Sequence, residues 1–195
     1  MKKYIAEMFG TFALALVVGL SLVIKFPVST PILAGLVLML FVYSIGGISG
    51  AHINPAVTIG AWSIKKIGAK DALLYIIFQF IGAAIALFVI SSSVGMPMFS
   101  SVSNNWVTAF AEFLGMVFFT FGIASVLYGK APNNVSGLVV GGSLLLGITV
   151  AALLGSNAVL NPAVAFGIGS CNLVYIFAPI VGSIIGMQAY KYLAE

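Results

Sequence analysis

The stretch HINPAVTIG, His52 to Gly60, follows an apolar run, and LNPAVAFG, Leu160 to Gly167, repeats its pattern later in the chain. Asn is a favoured N-cap residue, and Pro is favoured at the first helical position because the N–H that it lacks has no partner there. Each Asn-Pro pair therefore predicts the start of a helix. Only about ten residues follow before polar or Gly-rich sequence resumes, so each helix would cross about half of a 30 Å hydrocarbon layer. We predict two re-entrant half-helices.

The composition places the rest of the chain in a bilayer. Hydrophobic residues make up 62% of the sequence and charged residues only 6%, whereas a soluble domain carries roughly 25% charged residues. A membrane span needs about 20 mostly apolar residues. Six segments qualify, at about 4–24, 31–48, 71–91, 107–128, 136–154 and 173–191. The sequence therefore predicts an all-α membrane protein with six transmembrane helices and two half-helices, forming a single domain over residues 1–195.

The first segment could also be a cleaved signal peptide, since two lysines precede its apolar run. Glu7 lies within that run, and no A-x-A-like cleavage site follows, so we interpret it as the first span. The single Cys171 excludes an internal disulfide, and no Cys or His spacing resembles a metal site.

Lysine placement predicts the orientation. With six spans, both termini lie on the same side of the membrane. Seven of the eight lysines fall on that side, which the positive-inside rule makes cytoplasmic. They are Lys2, Lys3, Lys65, Lys66, Lys70, Lys130 and Lys191, and only Lys25 falls outside. The net charge of +4 therefore reflects membrane topology and does not indicate a nucleic-acid partner.

The two halves of the chain, about 1–100 and 101–195, form an internal repeat. AEMFG at residues 6–10 aligns with AEFLG at 111–115, and the NPAVxxG patterns beginning at Asn54 and Asn161 align in the same order. Each half holds three spans and one half-helix. Because three is odd, the second copy enters the membrane from the opposite side, which predicts an inverted repeat with a site near the midplane.

In such a repeat the two half-helices point their N-termini at each other, and each N-terminus carries about half a positive charge. A capping side-chain oxygen leaves the amide NH₂ of each Asn free to donate into a lumen. The backbone before each Asn is non-helical at membrane depth, which is tolerated where its carbonyls face a watery cavity. This predicts pore-lining carbonyls at Gly50, Ala51, His52, Ile53, Asn157, Ala158, Val159 and Leu160.

Paired Asn-Pro-Ala motifs within six spans, each in a half that opens with A-E-x-x-G, resemble the major intrinsic protein family of aquaporins and glycerol facilitators. The resemblance extends over nearly the whole chain, including Phe78-Gln79-x-x-Gly82-Ala83. It implies tilted helices around a pore in each protomer, usually a homotetramer in the cell membrane, with no cofactor and no chemistry performed. The expected function is passive passage of water or small uncharged solutes such as glycerol-like polyols, urea or ammonia. The motif residues are Asn54, Pro55 and Ala56, and Asn161, Pro162 and Ala163.

The resemblance also implies roles for buried polar residues. Glu7 and Glu112 resemble the family's glutamates that brace the two re-entrant loops by accepting backbone N–H bonds. The alternative is a proton relay, because acids within a membrane often serve one. His52 resembles the family's vestibule histidine, and it either holds the loop through a hydrogen bond or takes part in gating.

The filter departs from the family pattern. The family usually places Arg directly after the second NPA, where it donates to solutes and repels cations, but this chain has Val164. Counting back from each Asn in the family's spacing assigns the other filter positions to Ala34, Thr149 and Ala158. All four residues are small and only Thr149 is polar, which indicates a wide, weakly polar outer constriction. In the alternative, neighbours such as Phe166 or Leu160 fill the vacated space.

Two other function classes remain open from the sequence. One is a proton-coupled secondary transporter that uses Glu7 and Glu112, because inverted repeats are common among transporters. The other is a structural membrane protein whose pore is closed.

Overall fold

A computed structural model describes residues 1–24, 26–95 and 104–195, so the predicted outward position of Lys25 lies outside the described residues. The described chain is all-helical. Its helices are α1 (Lys2–Val23), α2 (Thr30–Ser49), α3 (Pro55–Ser63), α4 (Ala69–Val94), α5 (Trp106–Leu127), α6 (Ser136–Leu153), α7 (Pro162–Gly167) and α8 (Leu173–Ala194), with a 3₁₀ turn at Asn133–Val135.

Within the described residues, six helices are long and apolar enough to cross a membrane, and they confirm the predicted spans. They are α1, α2, α4, α5, α6 and α8. The largest difference in length is at α4, which begins at Ala69 and ends at Val94, whereas the predicted span covered 71–91. The remaining α3 and α7 have 9 and 6 residues, too short to cross a hydrocarbon layer of about 30 Å.

Helix contacts come in matched sets. In the first half α1 packs against α4 and α2, and in the second half α5 packs against α8 and α6. Across the halves, α2 packs against α6, and Gly35 and Gly141 each lie against the other's carbonyl. These two glycines, 106 positions apart, therefore occupy equivalent places in the two halves.

Glycines allow the close approach of the paired helices. A Cβ on Gly82 of α4 would collide with the carbonyl oxygen of Met8 on α1, and one on Gly182 of α8 would collide with that of Phe113 on α5. Small residues let backbones approach in this way where lipid provides little hydrophobic driving force. The tight packing holds the two short helices inside the bundle, where α3 contacts α4 and α8 and α7 contacts α4 and α1.

Candidate functional site

Each short helix begins at an Asn-Pro pair, and the Asn side chain caps it. Asn54 Oδ1 accepts a hydrogen bond from Ala56 N at 2.8 Å, and Asn161 Oδ1 accepts one from Ala163 N at 3.0 Å. The following proline is the first helical residue in both cases. Each Asn is 2% exposed, so the caps lie inside the protein, where an unpaired helix N–H would be costly.

The amide nitrogens of the two asparagines bind across the halves. Asn54 Nδ2 donates to Leu160 O at 2.9 Å, and Asn161 Nδ2 donates to Ile53 O at 3.0 Å. Each accepting carbonyl immediately precedes the other Asn. The expectation that each NH₂ is wholly free was therefore wrong, because one of its two hydrogens is engaged and only the other remains to donate into a lumen. These reciprocal bonds join the two helix starts to each other.

Glu7 is fully buried and holds the loop before α3. Its carboxylate accepts hydrogen bonds from His52 N at 3.0 Å and Ile53 N at 2.6 Å, and also from Ser49 Oγ and Gln79 Nε2. A buried carboxylate without such partners would be costly. Every one of these donors belongs to the loop or to the helices around it.

Glu112 holds the loop before α7 in the same way. It is fully buried and accepts from Val159 N at 3.0 Å, from Leu160 N at 2.8 Å and from Ser156 Oγ. Both glutamates thus occupy the bracing position that the resemblance implies.

The braced loops have an unusual backbone conformation. Ala51 and Ile53 have φ of 50° and 39°, and Ala158 and Leu160 have φ of 55° and 52°. Non-Gly residues rarely adopt positive φ, and a β-branched residue such as Ile53 does so at a cost of order 1–3 kcal/mol. The conformation persists because a carboxylate binds the successive N–H groups of each loop.

His52 is held by hydrogen bonding and ring packing. Its Nδ1 lies 3.2 Å from Thr58 Oγ1, and its ring packs edge-on against Tyr75. These contacts fit the loop-holding role. The imidazole also lines the cavity described next, so a gating role stays a prediction.

A cavity of about 290 Å³ runs beside the two asparagines. Its wall is mostly aliphatic and combines side chains of α1, α2, α5 and α6 with both re-entrant loops and α7. The lining residues are Leu14, Val18, Leu22, Thr30, Pro31, Ala34, Leu38, His52, Ile53, Asn54, Phe119, Leu144, Ile148, Ala152, Asn157, Ala158, Val159, Asn161, Val164, Ile168 and Ser170.

Four lining residues that sequence reasoning missed form two pairs at matching positions of the two halves. Leu14 and Phe119 are equivalent residues of α1 and α5, each seven positions after a bracing glutamate, and Leu38 and Leu144 are equivalent residues of α2 and α6. Both members of each pair line the cavity together with Asn54 and Asn161, and we call these four the central residues. The seven-residue spacing from Glu7 and Glu112 was a usable signal, since it is two helical turns and keeps residues on one face.

Three of the four expected filter residues, Ala34, Ala158 and Val164, line the cavity. The assignment of Thr149 was wrong. Its side chain is exposed, its Oγ1 donates to Leu145 O at 2.7 Å, and it is not among the lining residues, whereas Ile148 is. The count back from Asn161 passes through the irregular segment 154–160, and an error of one residue there rotates a helical position by about 100°.

The alternative in which neighbouring side chains refill the constriction is also wrong for the two residues considered. Phe166 packs against Phe80 with ring centroids 5.9 Å apart, and Leu160 is fully buried. Neither is among the residues that line the cavity.

The loop residues expected to present carbonyls divide into two groups. His52, Ile53, Asn157, Ala158 and Val159 line the cavity, and Gly50, Ala51 and Leu160 do not. The Leu160 carbonyl is instead the acceptor of the Asn54 amide. Over residues 1–24, 26–95 and 104–195, no group of three or more His, Cys, Asp or Glu side chains could hold a metal ion.

Comparison with known proteins agrees with this geometry. The family model "Major intrinsic protein" matches residues 1–190. "Aquaporin AqpM" of Methanothermobacter thermautotrophicus is 33% identical, covering 79% of this chain and 72% of its own length. "Glycerol uptake facilitator protein-like 6" of Lactiplantibacillus plantarum is 36% identical, covering 95% and 94%. In fold, the chain is similar to the aquaglyceroporin of Plasmodium falciparum, with a TM-score of 0.74 at 22% identity over 97% of this chain and 95% of that one.

The family match covers nearly the whole chain, and relatives above 30% identity include an aquaporin and a glycerol uptake facilitator-like protein by name. The chain therefore belongs to the major intrinsic protein family, as a multi-pass membrane protein and a passive channel for water or small solutes.

Proposed function

We propose that uncharged solutes cross the membrane through the cavity between Asn54 and Asn161. The observation that carries this proposal is that both helix N-termini and both asparagines lie in the wall of one cavity, joined by reciprocal amide-to-carbonyl bonds. Two helix N-termini each contribute about half a positive charge. Each Asn retains one N–H that can donate to a solute oxygen. The centre of the pore thus favours oxygen lone pairs and disfavours cations.

The position of the carboxylates supports a passive channel over a proton-coupled transporter. Glu7 and Glu112 are fully buried, are bonded to loop N–H groups, and are not among the residues that line the cavity. In the described part of the chain, the cavity wall holds no lysine, arginine or carboxylate. His52 is the one lining residue with a titratable side chain, again counting described residues only. We therefore propose a channel that performs no chemistry, not an enzyme.

We further propose a homotetramer in the cell membrane with both termini cytoplasmic and the two halves related as an inverted repeat. The lysine bias supports the orientation. The matched contacts of α1, α2 and α4 with those of α5, α6 and α8 support the repeat. Large apolar side chains exposed on the spans, such as Leu40, Phe88 and Phe177, would face lipid or neighbouring subunits.

The test is a comparison of solute flux in proteoliposomes. Water, glycerol, urea and ammonia are measured side by side, with and without a proton gradient, for the wild type and for Asn161→Ala. The exposed Asn133→Ala serves as the matched control. We expect flux that rises linearly with concentration, ignores the proton gradient, falls in Asn161→Ala and is unchanged in the control. Saturable uptake driven by a proton gradient would overturn the channel proposal, and no flux of any solute would favour a closed structural protein.

A further inference from the structure

Beyond the central residues, most of the described cavity wall belongs to segments on one side of the protein. An aliphatic layer, which consists of Val18, Ala34, Ile148, Ala158 and Val164, lines it on that side. The counterpart of Val164 in the first half is Val57, the third residue of α3, and it is 2% exposed and absent from the cavity wall. The side with the layer is where α1 ends and α2 begins, which the lysine bias makes the outer side.

Val18, Ala34 and Ile148 each lie four residues, about one helical turn, from a central residue. Val164 lies three residues after Asn161 in α7, and Ala158 lies three residues before it in the loop. The polar side chains Thr30, Asn157 and Ser170 also line the cavity. We place them nearer its outer end, because Thr30 begins α2, Ser170 follows α7, and Asn157 is one residue farther from Asn161 than Ala158. A solute that moves from the outer mouth to the asparagines must therefore pass a level where, among the described residues, every lining side chain is aliphatic.

Backbone N–H groups do not replace the side-chain donors that the aliphatic layer lacks. The N–H of Ala158 donates to Ser156 Oγ at 3.0 Å, and that of Val159 donates to Glu112 at 3.0 Å. The N–H of Val164 donates to Asn161 Oδ1 at 3.2 Å. The loop offers carbonyl acceptors here, but the N–H groups of Ala158, Val159 and Val164 are already engaged. A solute hydroxyl that leaves water at this layer finds no described donor in place of the water it loses, and such a loss is unfavourable.

We propose, on the basis of the pore proposed above, that this channel favours small solutes with an apolar side over fully hydroxylated solutes of the same length. The solute class is short aliphatic alcohols and diols, in which a methyl group stands in place of a hydroxymethyl group and packs against the aliphatic layer. A single hydroxyl oxygen of such a solute, with its two lone pairs, can accept from the two free Asn N–H groups at the centre. Propane-1,2-diol and glycerol form a suitable pair of probes, since both have three carbons and they differ by one hydroxyl.

The experiment measures the protein-dependent permeability of both probes by light scattering of proteoliposomes under equal osmotic gradients, after subtraction of the rate in empty liposomes. Water permeability is measured in the same samples. We expect the diol to pass about tenfold faster than glycerol, which corresponds to about 1.4 kcal/mol in barrier height.

The decisive variant is Val164→Thr, which adds a hydroxyl at nearly constant shape, and Val57→Thr is its matched control. We expect Val164→Thr to lower the diol-to-glycerol ratio severalfold and Val57→Thr to leave it unchanged. Ile148→Thr provides a second variant in the layer, with the same expected direction, should Val164→Thr not fold.

The outcomes separate this inference from the pore proposal. A diol-to-glycerol ratio at or below one, with flux present, overturns the inference and leaves the pore intact. Equal shifts in Val164→Thr and Val57→Thr also overturn it, because the effect would then not belong to the layer. The absence of protein-dependent flux for water and both probes overturns the pore proposal and this inference with it.

Discussion

Replacing Glu112 with Ala should destabilise the protein and reduce solute flux. The carboxylate is fully buried and accepts from Val159 N, Leu160 N and Ser156 Oγ. Removing it leaves at least the two backbone N–H groups without partners, each at a cost of about 1–3 kcal/mol. The expected loss is therefore about 2–6 kcal/mol, with a further contribution from the space that the side chain vacates. Leu160 should also leave its positive-φ conformation, because no acceptor would hold it.

Two measurements check this prediction. Thermal unfolding in detergent reports the stability, and proteoliposome swelling reports water flux. Glu112→Gln should lie between the wild type and Glu112→Ala, since its amide oxygen retains one acceptor for a loop N–H. Glu7→Ala should resemble Glu112→Ala because Glu7 plays the matching role in the first half. The exposed Glu195→Ala is the control and should not differ from the wild type.

The bracing argument would be refuted if Glu112→Ala unfolded within about 0.5 kcal/mol of the wild type and kept full flux, the range expected of a surface substitution. A different failure would be informative about mechanism. If wild-type flux depended on the proton gradient, and Glu112→Gln folded normally but lost that dependence, the carboxyl would be a proton relay and not a brace.

Three further outcomes are expected. Asn161→Ala should lower flux and add a cation leak, because it removes a lumen donor and an N-cap worth about 0.5–2 kcal/mol; conductance measurements on planar bilayers should show no leak for the wild type. Val164→Arg should lower the ratio of glycerol to water permeability, since Arg is larger and adds five donors to the aliphatic layer, and an unchanged or higher ratio would show that position 164 does not limit passage. Mercurials should inhibit poorly, because many water channels of this family are blocked through a Cys three residues before the second Asn, and this chain has Ala158 at that position. Cys171 is exposed beyond α7, and partial desolvation raises the pKa of its thiol, which leaves less thiolate at neutral pH. Strong inhibition that disappears in Cys171→Ser would contradict this.

Local sequence patterns were sufficient to predict the helices of this fold. Apolar runs of about 20 residues predicted the six spans, since a helix must be that long to keep its backbone bonded across lipid. The Asn-Pro pairs predicted where α3 and α7 begin, because capping depends on residues next to each other in the chain. Ala158 and Val164, both assigned to the filter and both close to Asn161, line the cavity.

Assignments of lining residues far from an Asn-Pro motif in the sequence were less accurate. Thr149 was reached by counting across a loop of irregular geometry, and a one-residue error moved the wall position to Ile148. Leu14 and Phe119 were missed, although their spacing from the glutamates carried the information. No local pattern indicated which part of each pore-lining loop would face the cavity.

The sequence by itself determined the spans, the two half-helices and their caps, because hydrophobic length and hydrogen-bond capping act between neighbours in the chain. Only the tertiary structure decided how the asparagine amides are used. Asn54 and Leu160, and likewise Asn161 and Ile53, are more than 100 residues apart, and they meet because the glutamate-braced loops and glycine-mediated helix packing bring the two halves together. Tertiary packing also decided that the layer outside the asparagines is aliphatic, since the direction of a side chain toward a lumen depends on how its helix is rotated against its neighbours.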